Sequence, residues 1–69
     1  FKSMPTIGKG VEEIRIWAEG TYRIFYVSRF SEAIYILHAF CKKTQKTSQQ
    51  DIDLGKQRYQ QMMKFRENL

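Results

Sequence analysis

The chain has one cysteine, one proline and one histidine among its 69 residues, and each scarcity closes off a class of protein. A lone Cys41 forms no intrachain disulfide, and one Cys with one His falls short of the four ligands of a structural zinc site. Neither a disulfide scaffold nor a zinc finger is available, and no metal or cofactor is expected. No apolar run approaches the roughly 20 residues that span a bilayer; the longest, Ala33 to Phe40, is interrupted by His38. No signal peptide is expected from these residues, and an unpaired thiol suits a reducing compartment. The expected setting is cytoplasmic, away from membranes. Acidic residues are also the minority: seven Asp plus Glu against 12 Lys plus Arg leave a net charge of +5. That excess points to an anionic partner, of which nucleic acid is the commonest.

Apolar material is plentiful. A hydrophobic content of 42% with 14% aromatics lies far above the disordered range. A chain this short forms one domain at most and buries only about 60% of the surface it exposes when unfolded.

Residues 1–10 (FKSMPTIGKG) hold Pro5, Gly8 and Gly10 without periodicity and read as a loop. A β-meander follows over 11–40. In its first strand, Val11 to Trp17, Ile14 and Ile16 lie on one face and Glu13, Arg15 and Trp17 on the other. Ala18 to Thr21 make a hairpin turn. The second strand, Tyr22 to Ser28, sets Tyr22, Ile24 and Tyr26 against Arg23, Phe25 and Val27. The third, Ala33 to Phe40, is apolar on both faces, with Ile34, Ile36, His38 and Phe40 expected to share one. A basic loop at 41–47 precedes a helix over 48–69. Ser48 followed by Asp51 signals the helix start, and Ile52, Tyr59, Met62, Met63, Phe65 and Leu69 recur at roughly helical spacing. Gly55 costs such a helix about 1 kcal/mol relative to Ala and marks a close crossing over the sheet.

The predicted fold class is α+β: a three-stranded antiparallel meander followed by a C-terminal helix. One helix covers one face, yet the second and third strands carry apolar residues on both. Either the chain forms a homo-oligomer through the uncovered face or a preceding helical segment covers it. The start at Phe1 rather than Met favours the preceding segment.

The segments YRIFYV (22–27), ILHAFCKKTQKTS (36–48) and IDLGKQRY (52–59) resemble the C-terminal half of the RelE/ParE toxin superfamily, in its phage-derived, HigB-like branch. KSMPTIGKGVEEIRI resembles the family's loop into its first meander strand. The most specific element is HAFCKKTQKT. The resemblance implies a RelE-like fold whose two N-terminal helices are missing here. It also implies the toxin of a type II toxin–antitoxin pair, usually an endoribonuclease that cuts mRNA on the ribosome, with a cognate antitoxin as partner. ParE-type members inhibit gyrase instead, and a remnant binding only antitoxin or nucleic acid is a further alternative.

Metal-free RNA cleavage needs a base for the ribose 2′-hydroxyl, cations for the phosphorane and an acid for the leaving oxygen, and no carboxylate pair in the sequence is evidently placed for it. The candidates are Arg15, Arg23, His38, Lys42, Lys43, Lys46 and the tyrosines. Arginine stabilises an oxyanion but cannot act as a base, its pKa staying above about 12; histidine, near 6.5 unperturbed, does either job. By resemblance Arg23 matches the family's phosphate-contacting arginine and Arg15 another RNA-facing basic position. Arg23, His38 and Lys43 are thus the catalytic candidates, and Arg15, Lys42 and Lys46 the RNA-binding ones. Each has a structural alternative: Arg23 in a salt bridge with Glu13 or Glu32, His38 as a hydrogen-bonded core residue, the lysines as a solvated loop. Trp17, Phe25 or Tyr22 would stack bases if exposed. Tyr59 is the nearest candidate acid toward the chain's end, with packing against the sheet as its alternative.

Overall fold

A computed structural model describes residues 1–42 and 46–69, with Lys42 described by its backbone alone. The expected α+β architecture is present. Strands β1 (Lys2–Ser3), β2 (Val11–Trp17), β3 (Thr21–Val27) and β4 (Tyr35–Lys42) precede a helix, α1 (Gln49–Arg66). The sheet is antiparallel throughout in the order β1-β2-β3-β4. The segment read as a loop thus contributes a short fourth strand, Lys2 and Ser3 pairing with Glu13 and Glu12. Two residues carry no periodicity from which a strand can be recognised.

Cross-strand register aligns Val11 with Val27, Glu13 with Phe25, Arg15 with Arg23 and Trp17 with Thr21. These pairs share the face on which α1 lies, principally over β4. Beneath the helix Met4, Ile7, Val11, Phe25, Val27, Leu37 and Met62 form the buried core, with Ile52, Tyr59 and Met63 packed against it. The opposite face carries exposed Ile14, Ile16, Tyr22 and Ile36.

The third strand of the meander departs from the expected alternation. Phe25 pairs with His38 but Tyr26 pairs with Ile36, so Leu37 is the extra residue of a β-bulge. Leu37 is buried in the core and His38 bonds to the helix, while Ile36 is exposed. His38 and Phe40 therefore lie on the helix side and part company with Ile34 and Ile36, contrary to simple period-two reading. The Leu37 carbonyl receives a hydrogen bond from Arg58 Nη1 at 3.1 Å, which ties the bulge to α1.

Ser48 caps α1: its extended backbone (φ −73°, ψ 153°) precedes the first turn, and its hydroxyl accepts from the Asp51 N–H. Of the predicted helical stripe, Met62 is buried, whereas Phe65 and Leu69 are exposed. Gly55 is the close crossing: a Cβ there would stand 3.0 Å from Phe25 Cδ2 and 3.4 Å from Ile7. Gly55→Leu should lift the helix off the core and lower stability by about 1–3 kcal/mol, measured by urea denaturation. A Gly55→Leu protein as stable as wild type would contradict this packing.

The helix C-terminus is held by Glu32. Arg66 Nε donates to Glu32 Oε2 at 2.6 Å, and the Arg66 guanidinium sits 3.3 Å from the Phe30 ring centroid. Tyr35 Oη also donates to that carboxylate, at 2.9 Å. The Arg66 hydrogen bond, foremost, brings the Glu32 pKa from 4.5 down to about 2. A carboxylate with a depressed folded-state pKa stabilises above its unfolded value and loses that contribution as pH falls through the folded one. The melting-temperature difference between wild type and Glu32→Gln should thus be constant above about pH 5 and shrink between 4.5 and 2. Its size is small, because the pair is solvent-screened.

Candidate nucleic-acid interface

Three cross-strand rows at one end of the helix-facing side gather most of the candidate residues. They are Glu13–Phe25–His38, then Arg15–Arg23–Phe40, then Trp17–Thr21–Lys42. Antiparallel pairing alone places these residues together, since partners directly opposite lie about 4.5–5.5 Å apart.

At the centre is a residue that the sequence reading considered only as a salt-bridge partner. Glu13 is 1% exposed, and Arg23 beside it is 2% exposed. Arg15 Nε donates to Glu13 Oε1 at 3.0 Å. Arg23 Nη1 lies 4.0 Å from Glu13 Oε2 and donates to Thr47 Oγ1 at 2.7 Å. Thr47 in turn donates to Glu13 Oε2 at 3.2 Å. A buried carboxylate is costly unless paired and hydrogen-bonded, and here two arginines and a hydroxyl surround it. The structural alternative for Arg23, an ion pair with Glu13, is thus realised.

Beside this cluster His38 Nε2 stands 2.9 Å from Asp51 Oδ1. Ser48 Oγ donates to the other oxygen, Asp51 Oδ2, at 2.6 Å. The same helix start that caps α1 thus supplies a carboxylate oriented toward the imidazole. On its other side the imidazole stacks on Phe40, with ring centroids 4.6 Å apart and planes at 16°. Phe25 meets Phe40 edge-on at 5.2 Å. The His38 ring is therefore fixed in orientation. With the proton on Nε2 toward Asp51, Nδ1 carries the lone pair that a general base requires.

Coverage by the helix ends partway along β2. Glu13 is sealed, the Arg15 side chain is 43% exposed, and Trp17 at the strand's end is 80% exposed. Lys46 is exposed just before Thr47. Lys43 falls outside the described residues. Tyr59 is not part of this group. Its ring covers Gly8, where any Cβ would stand 2.6 Å from the ring, and its hydroxyl donates to the Lys9 carbonyl at 3.1 Å. Among the described residues no cluster of metal-ligating side chains occurs, and no helix is long and apolar enough to cross a membrane.

Sequence reasoning offered Glu13 as a salt-bridge partner of Arg23 and Asp51 as a helix-start residue, but missed the part of Thr47 and the bond from His38 to Asp51. Register supplies what was missing: Glu13, on the face of Arg15, sits one row from Arg23 once the strands are paired. The arrangement combines fixed cations, a carboxylate-oriented imidazole and an exposed indole on one surface, a combination suited to a single-stranded nucleic acid.

No curated protein and no solved structure matches the chain. A family model does, that of the phage-derived Gp49-like proteins, over residues 1–60. This family is related to RelE-like toxins, in keeping with the sequence resemblance. With most of its length covered by that match, the chain belongs to the phage-derived Gp49-like family.

Proposed function

We propose that this protein is the toxin of a type II toxin–antitoxin pair and acts as a ribosome-dependent mRNA endoribonuclease. The observation that carries the reading is the His38–Asp51 pair set beside the Arg15–Arg23 row on a face only partly covered by the helix. In this reading His38, its ring held by Asp51, takes the proton of the 2′-hydroxyl as that oxygen bonds to the adjacent phosphorus; the P–O5′ bond breaks to leave a 2′,3′-cyclic phosphate, and the departing 5′-oxygen takes a proton from water. Arg23 and Lys43 stabilise the charge that develops on the phosphorane, and Arg15, Lys42 and Lys46 hold flanking phosphates. A cognate antitoxin neutralises the protein by occupying this face.

One observation favours a second reading. Arg23 is 2% exposed and bonded to Thr47, so a phosphate reaches it only after Thr47 moves aside. A binding protein without catalysis, such as a gyrase-inhibiting toxin, requires no such movement. The two readings separate on induction of the full reading frame in bacteria with mapping of mRNA 5′ ends. New ends inside translated frames, lost in a His38→Gln copy, support the nuclease. Growth arrest with intact mRNA and stalled supercoiling supports the gyrase inhibitor.

A further inference from the structure

Trp17 is the sole tryptophan of the chain, and it is left 80% exposed at the end of β2. Of Trp17, Phe25 and Tyr22, only Trp17 is both exposed and on the face that carries Arg15 and Arg23. Phe25 is fully buried. Tyr22 lies on the other face of the sheet, opposite Ile16 and Cys41. Trp17 follows Glu13 and Arg15 on the same face of its strand, one pleat repeat of about 6.7 Å beyond Arg15. Its cross-strand partner is Thr21, and Lys42 stands beyond that in register.

We infer that Trp17 is a stacking platform for an unpaired RNA base, whose adjoining phosphate is held by the half-exposed Arg15. The inference rests on the RNA reading above and adds to it the side chain that receives an unpaired base, which a duplex does not offer. The physical reason is access. An indole face stacks on any base that is free on one side, whereas bases within an A-form helix are covered above and below and present only their edges in the grooves. The cation one pleat away supplies the sequence-independent attraction to the backbone. Trp17 is neither in the buried core nor among the residues packed against it, so its removal leaves the core intact.

The sole tryptophan also reports directly on the contact. The protein would be titrated with a fluorescein-labelled 12-nucleotide single-stranded RNA and with the corresponding duplex, following indole emission and fluorescein anisotropy together. The expected result is single-strand binding that quenches Trp17. Trp17→Ala should weaken that binding roughly 5- to 100-fold, Trp17→Phe should retain most of it, and both should melt like wild type. Anisotropy showing binding without quenching, or equal affinity of Trp17→Ala, overturns the stacking role and leaves the RNA reading standing. Equal quenching by the duplex overturns the selection for unpaired RNA. No binding of either RNA at low salt overturns the stacking inference, while the ribosome-dependent reading is decided separately by the mapping of mRNA ends.

Discussion

Glu13→Ala should destabilise the protein by about 3–5 kcal/mol, the cost of leaving the buried Arg23 without this carboxylate. Small domains are stable by about 5–15 kcal/mol in all, so at the low end of that range most of the stability is at stake. Burial, rather than the number of bonds, sets the size of the effect. Glu13 is 1% exposed, accepts from Arg15 and Thr47, and faces Arg23 in an equally sealed position. Removing it leaves two guanidinium groups from adjacent strands facing one another, Arg15 being paired with Arg23 in the register. Glu13→Gln, which keeps an acceptor but not the charge, should fall between alanine and wild type. Arg15→Ala should cost far less, since its side chain is 43% exposed and exposed ion pairs contribute roughly 0–1 kcal/mol. Urea unfolding of the three variants measures the order, and a Glu13→Ala loss under about 1 kcal/mol would contradict it.

The second large effect concerns activity. On the proposed nuclease reading, His38→Gln should lower mRNA cleavage by about 10²–10⁴-fold, the usual contribution of a general acid–base group. Glutamine keeps a donor within reach of Asp51, so the helix start stays anchored. His38→Ala would additionally forfeit the stack on Phe40 and is the less informative substitution. Asp51→Asn should lose less, because the amide still holds the ring, although Ser48 then loses its carboxylate acceptor. Cleavage in translating cells, scored beside thermal melting of the purified variants, separates lost chemistry from lost fold. A fully active His38→Gln protein would remove His38 from the reaction and shift the reading toward binding without catalysis.

Much of this architecture was legible from residue order, for reasons that can be named. Alternation of Glu13, Arg15 and Trp17 against Ile14 and Ile16 specifies both a strand and its two faces. Ser48 and Asp51 mark the helix start through the hydrogen bonds they make at its first turn, and Gly55 marks the crossing through its missing side chain. The bulge at Leu37 was not legible, because an inserted residue in an apolar run leaves no mark in a period-two pattern. It reverses the face assigned to Ile34 and Ile36 relative to His38. β1 escaped for lack of length.

Of the site, the cations were legible as charges on strands beside a basic loop. Their grouping was not, since which residue lies across from which depends on hairpin register. The pairing of Arg15 with Arg23, and the choice of Glu13 over Glu32 as the partner of Arg23, emerge only when β2 and β3 are aligned. Asp51 could be read as a capping residue from sequence. Its second bond, to His38, depends on where the helix docks.

That dependence on docking has a consequence for the newly made chain. Every strand pairing joins neighbours in sequence, so the sheet forms through short loop closures, the quick kind. The polar cluster needs one longer closure, Thr47 reaching Glu13 across 34 positions, whereas Asp51 reaches His38 across 13, within the span of the strand pairings. Translation delivers the sheet before the helix. At about 5–20 residues per second, the roughly 20 residues that carry the helix take on the order of 1–4 s to synthesise. During that interval the nascent sheet exists with its imidazole unsteadied and its glutamate still hydrated, and only the segment made after it completes the constellation.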